Sequence, residues 1–348
     1  MSAAAVRVGQ IGLGYWGPNL LRNMMSVPQA RVVAVADSDE RRLAELAQNG
    51  SPVAATQDYR ELLCRRDVDA VVIATPAPSH AELAHAALSA GKHVLVEKPL
   101  ATTIEDGVRL IELADRQGLI LMVGHTFLYN AAVRRLKQYL EHGELGEIFY
   151  VYSQRLNLGR VRHDVNVLWN FAPHDVSILL YLLGQTPIEV VARGFAYLQQ
   201  GIEDVVFMTL VFSNGVSAHV HISWLDPQKV RRMTIVGSHK MAVYDDVRAD
   251  ARLALYDRGV DRIPTADSPR DFKSFADFQL RLRSGDVSIP ALEFPEPLRT
   301  ECEHFIDCIV QRRTPLTDGR HGLEVVKVLA AAQQSMRSDG VTVHIGHQ

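Results

Sequence analysis

The chain reads as two joined architectures: a doubly wound parallel α/β sheet, then an α+β region with a large, open, mostly antiparallel sheet flanked by helices. Three observations carry this expectation. Short Val/Ile-rich runs alternate with helix-spaced segments over the first third. A glycine-rich turn, Gly12-Leu13-Gly14-Tyr15-Trp16-Gly17, joins the first run to the first helical segment. Beyond Gly124 the runs lengthen and alternate in polarity, with turn residues between neighbours. A length of 348 residues suits two domains. The change of pattern puts their boundary at 1–123 and 124–348.

In order, 6–11, 30–36, 70–75, 92–97 and 119–123 are continuous and β-branched, as strands buried on both faces are. Between them Ser38–Gln48, Tyr59–Arg65, His80–Ala90 and Thr103–Arg116 carry helical spacing, with Thr102 and Glu105 read as a capping box. Gly91 and Gly118 stand where helix C-caps belong. A helix is expected at Ala131–His142, then strands at 147–157, 188–198, 204–212, 215–224 and 231–237, with a helix at Asn170–Leu183 inserted between the first two. Five prolines among charges make 258–297 mostly irregular. Helices at Leu298–Gln311 and Gly319–Met336 and a short strand, VTVHI, close the chain.

The glycine turn has a strand before it and a helix after it, which is the context a dinucleotide pyrophosphate needs. Gly12 allows the tight turn, Gly14 lets backbone approach the phosphates, Gly17 lets helix meet strand, and the helix N-terminus faces the anion. Asp37 ends the second strand, where an acid bonds the adenosine ribose 2′-hydroxyl and repels a 2′-phosphate, so NAD is favoured over NADP. Tyr15, Trp16 and Ser38 complete the expected loop contacts. Arg41 and Arg42 read as a solvated helix face.

Composition excludes several other classes. A net charge of −3, from 37 basic and 40 acidic residues, gives no bulk attraction for nucleic acid or anionic membrane. The start lacks the charged and apolar regions of a leader, and no apolar stretch reaches a membrane span. Cys64, Cys302 and Cys308 fit neither a disulfide framework nor a zinc pattern, so the expectation is a cytoplasmic protein with reduced thiols. His219-Val220-His221 has metal-like spacing but no third ligand, and reads as a polar sheet face or subunit contact; no metal is expected.

At the end of the strand 92–97 stands Glu97-Lys98-Pro99, and Ala74-Thr75-Pro76 with His80 follows the strand 70–75. With the glycine turn and the β-rich second half, the chain resembles the glucose-fructose oxidoreductase / inositol dehydrogenase family (Gfo/Idh/MocA) along nearly its whole length. The resemblance implies a Rossmann domain that binds NAD, with Thr75, Pro76, His80, Glu97 and Lys98 near the cofactor and Lys98 as an active-site residue beside the nicotinamide. It also implies a carboxylate and a histidine four residues apart on a helix of the second domain, here Asn170 and His174 in WNFAPHD. The family usually has Asp where this chain has Asn170, and an amide cannot take a proton. Asp175 points about 100° away from its neighbour and does not substitute. His174 is thus the expected general base, kept neutral by a nearby helix N-terminus; Pro173 fits the first helical turn. Lys98 is the charged donor to the reacting oxygen or, with a lowered pKa, the base itself.

Segments 124–130, 153–159 and the WNFAPHD helix resemble the branch that oxidises the C3 hydroxyl of a UDP-linked N-acetylamino sugar to a 3-keto sugar, which an aminotransferase then takes. His125 and Asn157 are candidate hydroxyl contacts, and Arg155, Arg160 and Arg162 candidate cations for a diphosphate. The alternatives are the corresponding uronic acid, a free polyol of the inositol type, and an NAD-binding sensor without turnover. The open sheet implies a homodimer or homotetramer.

Overall fold

The computed structural model describes residues 5–48, 53–159, 161–264 and 278–346. The chain divides into two compact units, Met1–Ala131 with Val176–Leu180 and Phe294–Ala330, and Ala132–Asp175 with Tyr181–Glu293 and Ala331–Gln348. The segment 294–330, which the sequence reading placed in the second domain, therefore groups with the first unit.

The first unit is built on six parallel strands, β1 (Val6–Ile11), β2 (Ala30–Ala36), β3 (Ala54–Thr56), β4 (Ala70–Ile73), β5 (His93–Glu97) and β6 (Leu121–Gly124), in the order β3-β2-β1-β4-β5-β6. The order reverses between β1 and β4, and ligands of such sheets bind beyond the strand ends at that point. Helices α1 (Gly17–Met25), α2 (Glu40–Gln48), α3 (Tyr59–Cys64), α4 (His80–Ser89) and α5 (Ile104–Gln117) make the crossovers. The short edge strand β3 is absent from the sequence reading; its three residues are partly or fully exposed, so no apolar run marks it. The cap of α5 lies one residue later than expected, with Thr103 Oγ1 accepting from Asp106 N at 3.2 Å.

The returning segment closes one side of this sheet. It carries α8 (Pro297–Gln311) and the first part of α9 (Gly319–Arg337). Val123 N donates to Thr317 O at 2.8 Å, and Arg320 pairs with Asp115 at 2.6 Å. A Cβ on Gly107 would come within 2.9 Å of the end of the Leu323 side chain, so α5 and α9 pack closely at this glycine.

The second unit holds a nine-stranded sheet in the order β14-β13-β12-β11-β7-β10-β9-β8-β15. Its strands are β7 (Ile148–Leu156), β8 (Glu189–Phe195), β9 (Val205–Val211), β10 (Ser217–Ser223), β11 (Val230–Gly237), β12 (Met241–Asp245), β13 (Leu253–Pro264), β14 (Phe278–Ser288) and β15 (Val343–His344). All pairs are antiparallel except β10 with β7. Residues 265–277 lie outside the described residues, and the β13–β14 ladder overturns the irregular reading at 258–264 and 278–288. Charged residues alternate with apolar ones there, and such strands tolerate a terminal proline and exposed charge.

Helices α6 (Ala131–Glu141) and α7 (Val167–Leu183) precede and follow β7. Alternation on β7 buries Val151, Ser153 and Arg155 and turns Tyr152 and Gln154 to the other face. On that other face Tyr152 stacks on His219 and Phe207 on His221, so the two histidines are sheet-face residues. Among the described residues no group of His, Cys, Asp and Glu could hold a metal ion, and no helix is long and apolar enough to cross a membrane.

Candidate active site

The glycine turn is built for backbone contact. Gly12 sits at φ +98°, and a Cβ there would lie 2.6 Å from Ala74 O at the end of β4. A Cβ on Gly17 would lie 2.4 Å from Gly12 O, whereas Gly14 is open except for Arg42. Gln10 braces the turn: its Nε2 donates to Gly12 O at 3.0 Å and Gly17 O at 2.8 Å. The sequence reading missed this residue, because an amide inside a buried strand shows no pattern of its own. Helix α1 begins without a side-chain cap and without an acid in its first turn, so the positive end of its dipole is open to an anion. Tyr15 and Trp16 are exposed beside it.

Asp37 is 6% exposed and holds the turn as well as marking the ribose position. Its Oδ2 accepts from Leu13 N at 2.6 Å and its Oδ1 from Asp39 N at 2.9 Å. Arg42 lies 3.2 Å from Asp37 Oδ2, so this arginine is part of the site and not merely a solvated face; Arg41 pairs with Asp39. Ser38 is exposed next to them. The cradle, the uncapped helix and the acid together fit NAD.

At the ends of β4, β5 and β6 the polar side chains are mostly buried. His80 is 1% exposed and bridges two carbonyls, Pro99 O at 2.7 Å and Thr75 O at 2.9 Å. Its ring is thereby occupied in tying two strand ends together, rather than presented to a cofactor. Burial lowers its pKa, while both carbonyl bonds favour the charged form. Thr75 Oγ1 accepts from Ser79 Oγ at 2.8 Å, and Pro76 opens the turn into α4.

Lys98 follows β5, and its charge acts on Glu97, His80 and His125. Burial lifts the Glu97 carboxyl to about 7, opposed by the Lys98 charge, the Lys98 N–H and the Trp16 indole. The residue is partly exposed, yet its Oε1 is closed off from solvent. His125, the candidate hydroxyl contact, is 1% exposed and packs edge-on against His321 with ring centroids 5.4 Å apart. Burial, then the charges of His321 and Lys98, push its pKa well below the usual range. Glu301 on α8 is fully buried and accepts from Thr126 Oγ1 at 2.8 Å; burial and then the Glu97 charge push its carboxyl well upward. Glu301 and His321 were not visible as site residues, since they reach the strand ends only through the returning segment.

In the second unit α7 starts at Val167, three residues before the expected start. Asn166 is the reason: its Oδ1 accepts from Trp169 N at 3.1 Å, and its amide nitrogen bonds Glu203 and Gln333. Pro173 therefore lies inside the helix and removes one of its backbone bonds. His174 is more than one turn from the N-terminus, beyond the reach of the dipole effect expected for it. Asn170 and His174 share a helix face, and the buried Trp224 indole donates to Asn170 Oδ1 at 3.2 Å.

Asp175 turns the other way, onto β7, where Ser153 Oγ donates at 2.8 Å and Arg155 Nε at 2.5 Å. Arg155 and Asp175 have side chains only 5% and 4% exposed, so this arginine is bound up within its own unit. Arg162 pairs with Asp164. Arg160 lies outside the described residues. Asn157 follows β7, its N–H bonded to Ser223 O at 3.1 Å.

Residues 6–125 match the model of the GFO_IDH_MocA oxidoreductase family, NAD-binding Rossmann fold, and residues 133–243 match a GFO/IDH/MocA C-terminal domain. UDP-N-acetylglucosamine 3-dehydrogenase of Acidithiobacillus ferrooxidans is 29% identical over 94% of this chain and 96% of its own length. The crystal structure of that enzyme gives a TM-score of 0.77, covering 96% of this chain and 98% of the other. scyllo-Inositol 2-dehydrogenase (NAD(+)) of Bacillus subtilis is 26% identical over 96% of this chain and 94% of its own. Levoglucosan dehydrogenase in complex with NADH gives a TM-score of 0.83 at 21% identity over 99% and 100% of the two chains, which is a likeness of fold.

Proposed function

Since the chain belongs to the GFO/IDH/MocA oxidoreductase family, we propose that it oxidises the C3 hydroxyl of a UDP-linked N-acetylamino sugar to the 3-keto sugar. The coarser activity is that of the family, NAD-dependent dehydrogenation of a sugar or polyol. The observation that carries the finer reading is the Trp224–Asn170 bond. The indole holds the amide oxygen, which turns the amide nitrogen, a donor, away from it. A donor where the family has a carboxylate suits an acetamido carbonyl or a hydroxyl oxygen.

When bound, NAD supplies the hydride acceptor. Lys98 hydrogen-bonds the reacting oxygen and stabilises its developing charge. His174 is the substrate-side acid–base group, and Asn170 orients the sugar. The 3-keto product is chemically suited to an aminotransferase. A second reading, oxidation of a free polyol of the inositol type, is favoured by one observation: Arg155 and Arg162 are both ion-paired, leaving less positive charge for a diphosphate.

NADH absorbance with UDP-N-acetylglucosamine, its uronic acid and myo-inositol separates these readings. Turnover on the nucleotide sugar supports the first, and turnover on myo-inositol alone replaces it with the second. Tight NAD binding with no turnover on any of them makes the chain a sensor. We also propose that the aromatic open face of the nine-stranded sheet packs against a second copy. Light scattering should give a dimer or tetramer, and a monomer refutes that packing.

A further inference from the structure

Four polar side chains of the first unit converge behind Lys98 from four elements. Glu97 ends β5, His125 follows β6, Glu301 is on α8 and His321 is on α9. Glu97 Oε1, Glu301 Oε1, both nitrogens of His125 and Nε2 of His321 are buried with no hydrogen-bond partner among the described residues. Buried polar atoms are ordinarily satisfied, and each exception calls for a physical reason. Here the exceptions are clustered, and Glu301 and His125 are 0% and 1% exposed.

We infer that Glu97, Glu301, His125 and His321 form a buried proton relay that takes up, through Lys98, the proton released when the substrate hydroxyl is oxidised. This rests on the dehydrogenase reading above and adds the proton's route to it. The titratable groups that act on Glu97 or on each other there are Lys98, which follows β5, and Glu301 on α8. Lys98 also acts on His80 at the start of α4 and on His125 after β6, and His321 on α9 acts on His125. The Trp16 indole and the Cys302 thiol face the same cluster.

With NAD bound, the carbinol C–H would leave as hydride to the cofactor while the O–H bond breaks and the C=O forms. Lys98, a cation, first passes one of its protons to the Glu97 carboxylate and then takes the hydroxyl proton, so it ends as it began. Hydride transfer discharges the nicotinamide while protonation discharges Glu97, so both charges vanish together and no net charge is created in the low-dielectric interior. Glu301 and His125 suit onward transfer because burial favours the neutral form of each, and in that form each can donate and accept.

Infrared spectra of the NADH-bound protein in light and heavy water test the proton-holding step without any sugar. The expected result is a protonated-carboxyl band that titrates near pH 7 and is lost in Glu97→Gln, and a second band persisting to higher pH and lost in Glu301→Gln. Absence of either band overturns the relay whether or not a sugar is turned over. With the sugar that proves active, Glu97→Gln should lower kcat about 100-fold and remove the acid limb near pH 7, the scale of acid–base catalysis. Glu301→Gln copies the neutral acid's shape but cannot pass a proton, so kcat should fall about 10-fold at unchanged KM and thermal midpoint. Wild-type kcat and pH profile in either Gln variant would reduce the cluster to packing and leave His174 as the base.

Discussion

The cofactor half and the substrate half of this enzyme are built by different means. At the glycine turn, backbone does the recognition: Gly12 and Gly17 stand where a Cβ would meet a carbonyl oxygen, and Gln10 and Asp37 hold the loop from beneath. At α7, side chains fix the geometry: Trp224 holds Asn170, and Asp175 anchors the helix to Arg155 and Ser153. A backbone site tolerates few changes, since there is no rotamer to adjust. A side-chain site can change by exchanging single groups.

Variants can break or sharpen that contrast. Gly12→Ala combines a disallowed φ with a close contact, and a cost of about 3 kcal/mol would weaken NADH binding at least about 100-fold by fluorescence titration. An unchanged dissociation constant would show that the turn is not backbone-limited. Lys98→Met and His174→Ala should each lower kcat at least about 100-fold, with NADH affinity retained, and near-normal turnover in either removes that residue from the chemistry. Asp175→Asn leaves Arg155 buried beside a neutral group, so urea unfolding should show a loss of about 3 kcal/mol. Retained stability there would mean the pair is not what anchors α7. The smallest effect belongs to Asp37→Asn, which keeps an acceptor for Leu13 N but removes the charge. The preference for NAD over NADP should fall about 10-fold, the scale of one charged hydrogen bond, with Arg42 then paired to Asp39 and no longer to Asp37.

The same contrast explains what was legible beforehand. The glycine turn, the strand-end EKP and the helix-forming stretches are local, with spacing that states their geometry. Asn170 and His174 were found because a four-residue interval is local too. What escaped depended on distant partners. Arg155 looked like a free cation until Asp175, twenty positions on, occupied it. The burial of His125 depends on α9, which brings His321 against it from nearly two hundred positions on. The start of α7 was misplaced because its cap, Asn166, is held by Glu203 and Gln333, which lie far along the chain. The β13–β14 hairpin was hidden by prolines and charges that an edge permits.

The returning segment 294–330 has a consequence for synthesis on the ribosome. Strands β1 to β6 emerge first, but β6 lacks its Thr317 partner and α5 its Leu323 contact until nearly the whole chain has followed. Glu301 likewise arrives long after Thr126, the hydroxyl that donates to it. A nascent chain therefore reaches a complete NAD-binding unit only near the end of translation, and a fragment stopped at residue 131 should lack one wall of that unit.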